Sequence, residues 1–82
     1  MAELRNAMAD RTLDTSGLVC PIPILKAKKA LSEMTAGATL EVLATDDAAP
    51  KDFAAFCRAT GNTLVESVRE GDGYRFLIRR AA

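Results

Sequence analysis

Four short stretches of the chain alternate apolar and polar residues, and two longer ones repeat apolar residues at steps of three and four. Thr12-Leu13-Asp14-Thr15 has the β-branching of a short strand, and Ser16-Gly17 supplies the turn that ends it. From Cys20 the period changes: Ile24, Ala27, Leu31 and Met34 form one stripe with Lys26 and Lys29 opposite, which predicts an amphipathic helix of about four turns closed by Gly37. Thr39 to Thr45 predicts a second strand, more apolar than the first and therefore nearer the sheet centre.

Asp46-Asp47 opens a turn, and Pro50 suits a first helical turn, where a missing N–H does no harm. Phe53, Phe56, Cys57 and Thr60 then share one face of a second helix, stopped at Gly61. Thr63–Arg69 and Tyr74–Arg80 flank Glu70-Gly71-Asp72-Gly73, a hairpin signal in which both glycines can take positive φ. The predicted order is β-α-β-α-β-β. Right-handed crossovers place both helices on one face of a four-stranded mixed sheet, an α/β (α+β) two-layer sandwich whose other face is more open.

A chain of 82 residues builds one core. We expect a single domain over residues 12–82 behind a flexible extension over residues 1–11, which is Ala-rich and polar and lacks an apolar face longer than a turn. Apolar residues make up 49% and charged residues 27%, as in ordinary soluble domains. Eleven basic residues balance eleven acidic ones, so no net field draws the chain to nucleic acid or to anionic membrane. No apolar run spans a bilayer and the first residues lack the apolar segment of a secretory signal, so the expected location is the cytoplasm.

Histidine is absent, which removes the commonest general base and neutral metal ligand. The two cysteines, Cys20 and Cys57, lie in no CxxC or Cys/His pattern, and neither a metal site nor a cofactor is expected. A thiol is the best candidate for chemistry. Cys57, with Phe53 and Phe56 before it at helical spacing, reads as a buried core residue.

Cys20 stands in Gly17-Leu18-Val19-Cys20-Pro21-Ile22-Pro23, where two prolines bracket one residue. Proline fits the first helical position, so Pro21 marks the helix start and puts Cys20 at the cap. With Pro21 and Pro23 unable to donate, the Ile22 N–H is the main first-turn group left to reach the sulfur, and the helix dipole favours the thiolate. The expectation is an acidified, nucleophilic Cys20 held in place by the prolines. Ile22, Leu25, Lys26 and Lys29 lie off the buried stripe and are expected to form an apolar and basic docking surface beside it. Asp46, Asp47 and Asp52 read as favourable charges at a helix N-terminus, with no catalytic role.

Leu13-Asp14, Gly17-Leu18, Cys20-Pro21-x-Pro23 and the basic helix at Lys28-Lys29 resemble the signature of the TusA-like sulfur carriers, also called the SirA family. The resemblance continues through Ala44-Thr45-Asp46, Asp52, Phe56-Cys57 and Tyr74 to Arg80. It implies the same two-layer fold, and it implies that Cys20 accepts sulfur as a persulfide within the supporting motif of Gly17, Leu18, Pro21 and Pro23. It further implies a cysteine desulfurase or a rhodanese-type sulfurtransferase as donor and a downstream relay protein as acceptor. Relatives serve transfer RNA thiolation, molybdenum-cofactor biosynthesis or sulfur oxidation.

Two other readings compete. A regulatory module could use the surface around the Cys-Pro-x-Pro helix to bind a protein without covalent chemistry. A thiol redox protein would need a resolving cysteine near Cys20, and the sequence offers only Cys57.

Overall fold

Side chains alternate across a strand and recur every three or four residues along a helix, and the elements follow that pattern closely. The computed structural model describes residues 9–81, so residues 1–8 of the expected extension lie outside the described residues. The elements are β1 (Arg11–Thr15), α1 (Ile22–Ser32), β2 (Thr39–Ala44), α2 (Ala49–Thr60), β3 (Thr63–Glu70) and β4 (Gly73–Arg79). Strand β1 begins one residue earlier than its alternation predicts. Before it, Asp10 is tied to Thr39, whose N–H donates to the Asp10 carboxylate at 2.8 Å.

The four strands form one mixed sheet in the order β1-β2-β4-β3. β1 and β2 run parallel, and β4 is antiparallel to both β2 and β3. The central strands are therefore β2 and β4. Their helix-facing residues Leu40, Val42, Ala44, Phe76 and Ile78 meet Ala27, Ala30 and Leu31 of α1 and Ala49, Phe53 and Cys57 of α2 in one core. Phe53 stacks on Phe76 with ring centroids 4.7 Å apart.

The sheet face away from the helices is less open than expected. Arg75 lies 2.7 Å from Glu66, 3.3 Å from Glu70 and 3.8 Å from Glu41. Beneath these long side chains Glu41 is 1% exposed and Leu77 is buried as well. The Thr12 hydroxyl also donates to Glu41, at 3.0 Å.

Helix α1 stops at Ser32, short of the expected close at Gly37. The Glu33 and Met34 N–H groups bond back to the Ala30 and Leu31 carbonyls, which tightens the chain out of the helix. Met34 still packs against the core from this turn, so apolar spacing outran the helix. Gly37, at φ +83°, sits in the link to β2 with its N–H on the Arg80 carbonyl.

Helix α2 ends as expected at Gly61, whose left-handed φ of 80° lets its N–H reach the Cys57 carbonyl. In the β3–β4 hairpin only Gly71 has positive φ. Gly73 is required for a different reason: a Cβ there would lie 2.6 Å from the Ala44 carbonyl oxygen. Gly73→Ala is therefore expected to cost about 1–3 kcal/mol as overpacking against backbone. A lower urea midpoint at unchanged slope would register it. Pairing between β3 and β4 also slips at Val65, which stands between Leu64 opposite Ile78 and Glu66 opposite Leu77.

Candidate functional site

Because β1 and β2 are parallel neighbours, the loops leaving their ends emerge side by side at one edge of the sheet. The first loop carries Cys20 and the second carries Asp46, and side chains of the second hold the first. The Gly17 N–H donates to the Thr45 hydroxyl at 2.8 Å, and the Cys20 N–H donates to the Asp46 carboxylate at 2.7 Å. The other Asp46 oxygen accepts from the Ala48 N–H at 3.1 Å. These two N–H groups lower the Asp46 pKa below the ordinary carboxylate value. The loop's own turn is closed by the Leu18 N–H on the Thr15 carbonyl and by Gly17 at φ +81°.

The helix start differs from expectation by one residue. Pro21 is the cap, the helix begins at Ile22, and Pro23 occupies the second helical position with its ring buried. Cys20 stands just ahead of the cap. The Ile22 N–H is taken by the Val19 carbonyl at 2.9 Å, a turn across the Cys20-Pro21 pair, so it does not serve the sulfur as expected. The Cys20–Pro21 peptide bond is cis.

Cys20 is exposed, as its expected role needs. Its acidity is the reverse of the expectation. The Asp52 carboxylate on α2, as acceptor and as charge, together with partial desolvation and the charge of Asp46, pushes its pKa above the ordinary value. A carboxylate accepts from S–H but repels S⁻, and it outweighs a helix end displaced by one residue. Asp52 stands in the first turn of α2, as expected, and Asp46 in addition accepts from the Cys20 N–H.

Around the thiol the surface is apolar. Val19, Ile22 and Leu25 are 66%, 39% and 55% exposed, an unusual share of solvent for large apolar side chains in so small a domain. Leu18 is half-buried beside them. Lys26 and Lys29 are exposed, as predicted, but line a depression along β1 with Arg11, Leu13, Ala30 and Glu33. Val19 was missed by sequence reasoning, which followed only helical positions.

Cys57 is 4% exposed within the core, and burial raises its pKa. Among the described residues no group of three or more acidic or cysteine side chains could hold a metal, and no helix is long and apolar enough to cross a membrane.

Strand, helix and neighbouring loop thus define a small two-layer α/β domain that presents one exposed thiol, anchored by its own backbone. Residues 11–80 match the family model described as Sulfurtransferase TusA, and the chain belongs to that family. It is 53% identical over 72 residues to the sulfur carrier protein TusA of Allochromatium vinosum, covering 88% of this chain and 95% of that one. A putative sulfur carrier protein of Neisseria meningitidis serogroup A is 55% identical over 71 residues, covering 87% and 95% of the two chains. The fold is that of a SirA-like protein from Desulfitobacterium hafniense, with TM-score 0.76, 30% identity, and 88% of this chain and 99% of that one covered.

Proposed function

We propose that this protein is a sulfur carrier in which Cys20 accepts a sulfur atom as a persulfide and passes it to an acceptor protein. The observation that carries the proposal is a single exposed thiol, in a family of sulfur carriers, with its peptide N–H fixed at 2.7 Å from Asp46. Loading is a thiol–disulfide type of exchange. The Cys20 sulfur attacks the outer sulfur of a donor persulfide, the donor's S–S bond breaks, and the donor cysteine leaves with the electron pair and takes up the proton shed by Cys20. No oxidant is consumed.

An exposed position lets the donor sulfur come within bonding distance, and Val19, Ile22 and Leu25 offer a partner apolar contact around it. The donor in this reading is a cysteine desulfurase or a rhodanese-type sulfurtransferase, and the acceptor is a further relay protein. The buried Cys57 cannot expel the sulfur as an intramolecular disulfide without opening the core. A reducing cytoplasm suits such a thiol.

Incubation with a desulfurase and cysteine, followed by mass mapping, tests the reading. One added sulfur is expected on the Cys20 peptide, lost on reduction. Sulfur mapped only to Cys57 would reject it.

A further inference from the structure

Of residues 20 to 23 only Cys20 and Ile22 carry a backbone donor, since Pro21 and Pro23 have none. The Ile22 N–H is spent locally on the Val19 carbonyl, so the Cys20 N–H is the donor that ties this stretch to another element. It meets the Asp46 carboxylate at 2.7 Å, and that carboxylate is itself aimed. Its second oxygen accepts from the Ala48 N–H at 3.1 Å, and the Asp46 carbonyl accepts from the Ala49 N–H at 2.9 Å. Next to it the Asp47 carboxylate takes the hydroxyl of Tyr74, which packs against the core from β4, at 2.9 Å. Among the described residues no lysine or arginine makes an ion pair with Asp46, which leaves its carboxylate committed to two N–H groups.

We propose that Asp46 is a positioning residue for sulfur transfer: by holding the Cys20 peptide from the neighbouring loop, it fixes where the sulfur stands when a donor persulfide arrives. This rests on the reading that Cys20 carries the sulfur. Cys20 is exposed, so packing around its side chain does not supply that placement. Nor does Asp46 activate the thiol. Its negative charge is among the causes that raise the Cys20 pKa, so what the carboxylate contributes is position and not acidity.

Position matters because of how sulfur moves. The Cys20 sulfur forms a bond to the outer sulfur of the donor persulfide while the donor's own S–S bond breaks. The electron pair of that bond goes to the donor cysteine, which also takes up the proton shed by Cys20. One thiol and one persulfide enter, and one of each leaves. Displacement at sulfur needs the three sulfur atoms close to one line, so a donor seated on Val19, Ile22 and Leu25 delivers its sulfur to one spot. A Cys20 peptide released from its anchor is off that line for much of the time.

Single-turnover transfer from a desulfurase that already carries its persulfide tests this, with the carrier raised to saturation and the product mapped by mass. Asp46→Ala is expected to lower the maximal transfer rate about tenfold while the half-saturating concentration stays within about twofold of wild type. Its Cys20 amide should exchange hydrogen faster than in the wild type. Its Cys20 thiol should react with iodoacetamide at neutral pH at least as fast, because a nearby negative charge has gone. Slower transfer beside undiminished alkylation is a pair that general damage to the thiol does not produce. Should Asp46→Ala fail to fold, as judged by circular dichroism, Asp46→Asn makes the same comparison, with one acceptor oxygen in place of two. An unchanged maximal rate would overturn the assignment of Asp46. So would a loss confined to the half-saturating concentration, which marks a mere contact with the donor. Persulfide formed on a Cys20→Ser chain would instead overturn the carrier reading beneath it.

Discussion

A Cys20→Ser chain is expected to take up no sulfur from a desulfurase, while Cys57→Ala loads to the wild-type extent. Serine keeps the backbone and nearly the shape, and Cys20 is exposed, so the substitution leaves no cavity and its loss of loading cannot be assigned to unfolding. Its hydroxyl does not exchange with persulfide sulfur under these conditions. Cys57→Ala removes a buried sulfur packed in the core and should lower stability by about 1 kcal/mol, yet it lies outside the reaction. Mass spectrometry of the loaded chains reads the first effect and a urea titration the second. A non-covalent regulatory module would bind its partner equally well with serine at position 20, so co-purification with the desulfurase separates that alternative.

Phe53→Ala is expected to bring the domain to the edge of unfolding. Phe53 is wholly buried, stacks on Phe76 and meets Phe56 edge to face with ring centroids 6.4 Å apart. Removing a buried phenyl ring costs about 3–5 kcal/mol, against a total of about 5–15 kcal/mol for an ordinary domain and the lower part of that range for one this small. Its melting temperature should fall by about 12–40 °C, given about 4–8 °C per kcal/mol in a domain of this size. Cys57 offers a second readout one turn along the same helix. It should be slow to alkylate in the wild type and rapid in Phe53→Ala, and a Cys57 equally slow in both would mean the core had closed over the gap.

Elements set by local pattern were legible in the sequence. Gly61, Pro50, the hairpin glycine Gly71 and the apolar stripe of Ala27 and Leu31 act within a few residues of themselves, and each stands where expected. Exposure of Cys20 and burial of Cys57 were likewise readable, from a proline-bounded loop in one case and flanking aromatics in the other. The raised pKa of Cys20 was not, because its causes, Asp52 first and Asp46 after it, come from α2 and the neighbouring loop. Reasoning along the helix alone gave the sign of the dipole and missed the larger opposing charges. A usable signal was present: two parallel strands end at the same edge of a sheet, so residues just after β2 meet those just after β1. Gly73 shows the same limit, since its neighbour Ala44 is on another strand and only the sheet order brings them together.

The skipped residue at Val65 has a consequence for how this molecule behaves in a crowded solution. β3 is an outer strand, and an unbroken row of free amide and carbonyl groups would invite a second chain to add on and begin a fibril. One unpaired residue twists that margin out of register, and Glu66, Arg69 and Glu70 add charge along it, so the protein can keep its exposed thiol on offer without offering its backbone.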